Sequence, residues 1–193
     1  MPLSAPETPR QPLHRRVIEM QGYQRDDGLY DIEGHLVDTK SYAFDNVERG
    51  QVQAGEALHG MWIRLTVDEA MVIRSCEAVT DSAPYGVCPA AAPNFAALAG
   101  VSIGVGFNRA VKDRVGGVIG CTHLREMLAQ MATVAFQTIG PIKRRKAQDA
   151  AARAAAAGEP PPPGTVRKLP IGSCLAYAPD SPVVRRQSEP AEE

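Results

Sequence analysis

Between Met61 and Asp68 apolar and polar residues alternate. Met61, Ile63, Leu65 and Val67 share one side, and Trp62, Arg64, Thr66 and Asp68 share the other. A period of two marks a strand with one buried face. Asp68-Glu69-Ala70 then turns the chain back into a second strand over Met71 to Thr80. The same rhythm occurs earlier, over Leu29 to Tyr42. Tyr30, Ile32, Gly34 and Leu36 form one row there, and Asp31, Glu33 and His35, closed by Val37, form the other. Asp26-Asp27-Gly28 precedes this stretch and reads as a hairpin turn, because Asp-Gly accepts the positive φ that such turns need. Val17, Ile18 and Met20 give a short strand from His14 to Tyr23. Two hairpins of this kind combine most simply into one antiparallel sheet of four strands. Phe44 to Gly55, between them, reads as a charged loop.

Beyond Pro84 the period lengthens. Pro84 to Pro89 is turn-like, and Asn94 is placed to cap a short helix through Leu98. A second helix is predicted over Phe107 to Val115. A third follows Gly116-Gly117-Val118-Ile119-Gly120-Cys121-Thr122-His123, with Thr122 as its cap. Leu124, Met127, Leu128, Met131 and Ala135 make its apolar face, and Gly140-Pro141 is expected to stop it near Ile139. Strands first and helices after predict an α+β fold: an antiparallel sheet of about four strands, in two hairpins, followed by a layer of about three helices.

Composition sets the domain limits. Residues 1–13 are polar and Pro-rich and read as a disordered lead-in. Residues 14–142, rejoined by 166–184, make a single domain. Residues 143–165 are an Ala/Pro-rich linker or insertion without an apolar stripe, whose Ala run has the propensity to extend a helix, and 185–193 a disordered tail. With 21 basic and 22 acidic residues, global charge points to neither nucleic acid nor a membrane surface. No apolar run approaches the roughly 20 residues of a membrane span, and the start of the chain lacks a signal-peptide pattern. The expectation is a cytoplasmic protein whose partner is a small molecule or another protein. In that compartment its four cysteines are available for metal ligation, thiol chemistry or burial rather than a disulfide framework.

The chemistry concentrates at the mouth of the third helix. A thiol at a helix N-terminus has its thiolate favoured, and the same dipole disfavours a protonated imidazole in the first turn. Cys121 and His123 are therefore candidates for ligation or catalysis. Cys88 sits in a Pro-flanked turn and Cys174 in an apolar island, so Cys88, Cys121, His123 and Cys174 together would suit zinc or an iron–sulfur cluster. No Cys-x-x-Cys is present, and Cys76 lies within a strand, where packing explains it. His35, on the acidic row with Asp31 and Glu33, is a second candidate base, with Arg25 or Arg64 as partners for the carboxylates. Gly104-Val105-Gly106 is no dinucleotide fingerprint, since Arg109 stands where Gly or Ala is needed.

The runs Arg25-Asp26-Asp27-Gly28-Leu29-Tyr30-Asp31-Ile32-Glu33-Gly34 and Gly120-Cys121-Thr122-His123-Leu124, with His14-x-Arg16 and Ser173-Cys174-x-Ala176-Tyr177, resemble the bacterial DUF2889 family. The resemblance spans His14 to Val184 apart from the Ala/Pro insert. It implies a domain and names no reaction. The family pattern has tryptophan where Tyr30 stands and often histidine where Leu175 stands. Three functions remain open: a zinc or iron–sulfur protein, a metal-free thiol enzyme with Cys121 as nucleophile and His123 or His35 as base, and a binding or scaffold module whose cysteines only pack.

Overall fold

The computed structural model describes residues 3–160, 162 and 171–188. It divides into two compact units, Met1–Pro141 and Ile142–Glu193. The first holds a four-stranded antiparallel sheet in the order β1-β2-β5-β6, formed by β1 (His14–Gln24), β2 (Tyr30–Lys40), β5 (Ala57–Val67) and β6 (Ile73–Ser82). The expected hairpins are both present, and β2 joins them by pairing with β5. The stretch read as a charged loop contains a small hairpin of its own, β3 (Phe44–Asn46) and β4 (Gly50–Val52). Its three-residue strands are too short to leave a periodic trace in the sequence.

One face of the sheet is buried. Tyr30, Ile32, Leu36, Met61, Ile63, Leu65 and Val67 are all at most 2% exposed. The cover is α2 (Thr122–Ala156), whose Leu124, Met127, Leu128, Met131, Ala135 and Ile139 are fully buried. Two glycines let the helix come close. A Cβ on Gly34 would lie 3.3 Å from Met131 Sδ, and one on Gly22 would lie 2.0 Å from Thr138 Oγ1. With Glu126 bonded to Arg16, these contacts lay α2 along the sheet in the direction of β1. The mouth of α2 thus meets the end of the sheet where β1 begins and β2 finishes.

The remaining helices buttress β6 and the mouth of α2. A 3-10 helix over Cys88–Leu98 buries Ala92, Phe95 and Leu98. Asn94 caps nothing there; its side-chain amide donates to the carbonyl of Ile119, tying this helix to the loop before α2. The helix α1 (Phe107–Val115) is as predicted. The glycines that follow it permit close backbone approach: a Cβ on Gly116 would sit 2.2 Å from Lys112 O, and one on Gly120 would sit 2.0 Å from Val115 O. Any larger residue would push the mouth of α2 off the end of α1.

The helix does not stop at Ile139. It runs through Pro141 to Ala156. Pro141 forfeits one backbone hydrogen bond, but the Ala-rich sequence beyond has the highest helix propensity available and carries the helix on. The helical part of the predicted linker is therefore 143–156. In the second unit, a 3-10 turn (Leu175–Tyr177) precedes α3 (Pro182–Ser188), so part of the predicted tail is helical. The other linker and tail positions at 161, 163–165 and 189–193 fall outside the described residues, as do 166–170. Among the described residues no helix is long and apolar enough to cross a membrane.

Candidate metal centre

Three strands each continue an apolar row by one polar step. On β2 the row Tyr30, Ile32, Gly34, Leu36 is extended by Asp38. On β5 the row Val67, Leu65, Ile63, Met61 is extended by His59, and on β1 Met20 and Ile18 lead to Arg16 and His14. The register sets Arg16 opposite Asp38 and Asp38 opposite His59, so the three lie side by side across the sheet. A β-bulge follows between Asp38 and Thr39, and another sits beside Met61. Bulges of this kind re-aim side chains at the rim of a sheet.

Asp38 is the hub. It is 1% exposed. Arg16 donates from Nε to Oδ1 at 2.8 Å and from a terminal nitrogen to Oδ2 at 2.7 Å, a two-pronged pairing. His14 Nε2 lies 3.1 Å from Oδ1 and His59 Nδ1 lies 3.0 Å from Oδ2. From the helix side, His123 Nε2 lies 3.8 Å from Oδ2. The His59 and His123 rings face each other at 3.9 Å between centroids. The remaining prong of Arg16 donates to Glu126 at 3.1 Å.

The protonation states follow from these contacts. Burial pushes the Asp38 carboxyl upward, but the hydrogen bonds and charge of Arg16, helped by the histidines, more than offset it and leave the pKa at about 2. Burial, joined by the neighbouring His123, pushes the His59 pKa below its ordinary value. Burial and then Arg16 do the same for His123. Asp38 is thus a carboxylate flanked by two imidazoles biased toward neutrality. An ionised carboxylate only accepts, so His59 carries its proton on Nδ1.

Cys121 borders this cluster. Its carbonyl accepts from Arg125 N–H at 3.0 Å, which makes Cys121 the capping residue and Thr122 the first residue of the helix. Its Sγ lies 3.9 Å from His123 Nδ1, so the two do converge at the helix mouth. The other two predicted ligands belong to different elements. Cys88 opens the 3-10 helix that packs on β6, and Cys174 is an exposed residue of the second unit. Among the described residues, the group of three or more donors with metal-ligand spacing is Asp38, His59 and His123, and it contains no cysteine. His35 lies on the opposite face of the sheet, stacked on Trp62 at 3.6 Å, because residue 35 is out of phase with the buried row. The sheet therefore stands between His35 and Cys121. Arg25 and Arg64 do pair with the acidic row, at 3.4 Å to Asp31 and 2.7 Å to Glu33.

A family model described as "Protein of unknown function (DUF2889)" matches residues 14–137. The chain belongs to this family. The matched residues begin at His14 and contain Arg16, Asp38, His59, Cys121 and His123, so the whole cluster lies within the family domain. The late Ser173-Cys174 motif lies outside them. No curated protein and no solved structure matches the chain.

Proposed function

We propose that this domain binds a divalent transition-metal ion, zinc being the best fit, through Asp38, His59 and His123. One observation carries the reading: each of the three offers a donor atom, and these atoms all lie within 4.8 Å of one another. A tetrahedral ion with bonds of about 2.0–2.1 Å sets its ligands roughly 3.3 Å apart. The contacts from Asp38 Oδ2 to His59 and His123, 3.0 and 3.8 Å, bracket that value. The protonation states suit ligation, which needs a carboxylate and neutral imidazoles. An entering cation would take the place of the proton on His59 Nδ1. Imidazole and carboxylate donors favour zinc over an iron–sulfur cluster, which needs thiolates. Three protein ligands leave a position for water or substrate, the pattern of catalytic rather than structural sites.

Binding is read directly by titrating metal-free, untagged protein with zinc and by the visible spectrum of its cobalt form. His59→Ala and His123→Ala should each weaken zinc binding by about a hundredfold or more while leaving the helical circular dichroism intact. A wild-type chain that takes up no zinc or cobalt would overturn the proposal.

A second reading rests on a different contact. Cys121 Sγ, His123 and Asp38 form a thiol–imidazole–carboxylate chain, with spacings of 3.9 and 3.8 Å. This is the arrangement of a thiol nucleophile, its base and the group that orients the base, drawn loosely. In that case the protein is metal-free, and Cys121→Ser abolishes function while metal content stays at zero.

A further inference from the structure

The imidazole of His123 separates two sets of donors. Its Nε2 faces Asp38, and its Nδ1 faces Cys121 Sγ at 3.9 Å. Cys121 Sγ in turn lies 3.7 Å from the thioether of Met61. Met61 is one step along β5 from His59 on the same face, and it is 1% exposed. The Cys121 thiol thus has a thioether and an imidazole nitrogen each within 4 Å, on the side of His123 that the carboxylate does not occupy.

We propose that Cys121, Met61 and His123 Nδ1 form a soft-metal site selective for Cu(I), distinct from the oxygen-containing set around Asp38. Thiolate and thioether ligands select Cu(I), whereas carboxylates suit harder ions. The spacing fits: sulfur and nitrogen donors arranged trigonally about an ion at bond lengths of about 2.0–2.3 Å stand about 3.8–4.0 Å apart. The two spacings from Cys121 Sγ, 3.7 Å to Met61 and 3.9 Å to His123, are close to that range. Binding releases the thiol proton to solvent and changes no oxidation state. The inference is independent of zinc at Asp38, because it draws on the other nitrogen of His123 and on two sulfurs outside that group.

The test is anaerobic competition for Cu(I) between the full chain and a chromophoric Cu(I) chelator. Wild type should hold one Cu(I) per chain through this site. Met61→Leu keeps the volume of the core and should weaken Cu(I) binding by about tenfold, with Cys121→Ser weaker still. Cys88→Ser and Cys174→Ser should leave it unchanged. Zinc titration of the Met61→Leu and Cys121→Ser proteins should match wild type, so the loss of one site is told apart from the loss of the other. The proposal is overturned if wild type retains no Cu(I), or if Met61→Leu and Cys121→Ser both bind it normally. It is equally overturned if affinity follows Cys88 or Cys174, or if zinc affinity falls together with Cu(I) affinity.

Discussion

The two faces of the sheet carry the same kinds of charged group at the same distances and use them differently. On the covered face Arg16 meets Asp38 at 2.7 Å; on the bare face Arg64 meets Glu33 at 2.7 Å. The Asp38 side chain is 2% exposed and Arg16 32%, whereas Glu33 is 30% exposed and Arg64 48%. Each face also has a histidine in a ring contact, His59 with His123 and His35 with Trp62. What differs is water. On the bare face solvent screens every pair, and loss of a partner is made good by hydration. On the covered face loss of Arg16 would strand the Asp38 carboxylate away from water, so Arg16, Asp38 and the histidines form one unit. Distance alone does not rank these contacts; burial does.

The strongest way to break the comparison is to place a charge in the dry row. Leu65→Asp puts an unpaired carboxylate at a position with no exposure on the covered face. Soluble, folded protein should not be recovered. Trp62→Ser, one face away at 43% exposure, should lower stability by no more than about 1–2 kcal/mol, the loss of a half-exposed aromatic contact. Urea unfolding of both variants checks this. Equal damage from the two would mean that the bare face is covered too.

Next in size is the hub itself. Asp38→Asn keeps the shape and removes the charge that Arg16 and the histidines share; the Arg16 left behind is a third exposed and keeps Glu126, so the cost should be about 1.5–3 kcal/mol, the range for a hydrogen bond to a charged group. It should also remove zinc binding. A cost below about 1 kcal/mol would place Asp38 in the same class as Glu33.

Acid should reveal the same unit in metal-free protein. The folded pKa of Asp38 is depressed, so its contribution to stability is complete above the unfolded value near 3.8 and is lost as pH falls toward about 2. His59 and His123 are also depressed, so their contribution is complete above about 6.5 and begins to fall as they are forced to protonate below it. Wild type should therefore weaken in two stages on acidification, and Asp38→Asn should lack the second. A single stage in wild type, unchanged in the variant, would show that Asp38 is not held ionised.

Much of this architecture is written in local periodicity. The row Tyr30 to Leu36, the row Met61 to Val67 and the stripe Leu124 to Ala135 are each legible alone, and together they require a sheet with a helix on one side. The cluster is less legible for the same reason. Apolar counting stops at Leu36 and Met61, yet the covered face continues one step further, to Asp38 and His59. Extending each row by two residues would have shown a carboxylate and an imidazole on the buried side. That Arg16 and His59 stand on either side of Asp38 is a matter of register between strands, which no local pattern encodes. Cys121 and His123 were legible because the helix mouth is a local feature. A grouping with Cys88 and Cys174 rests on residue type, which carries no information on distance. The end of α2 is not legible at Gly140-Pro141, because the proline costs one hydrogen bond and the alanine-rich run beyond it sustains the helix.

The smallest effect is expected on the bare face, and it sharpens the comparison most. Arg64 bridges Glu33 at 2.7 Å and Glu77 at 3.1 Å across three strands. Cross-strand charges at these positions attract, but all three are hydrated, and holding long side chains in one geometry costs entropy. A double-mutant cycle of Arg64→Ala and Glu33→Gln should give a coupling of about 0.2–1 kcal/mol. It should shrink further in molar salt, where the screening length falls to about 3 Å. The matching cycle of Arg16→Ala and Asp38→Asn should give a larger coupling, about 1.5–3 kcal/mol, that salt changes less, since the carboxylate is shielded from counterions. The two couplings come from pairs of equal length on opposite faces of one sheet, so their ratio isolates the effect of burial. A salt-sensitive coupling at Asp38 as small as that at Glu33 would mean that water reaches the hub, and with it the basis for a desolvated metal centre would fall.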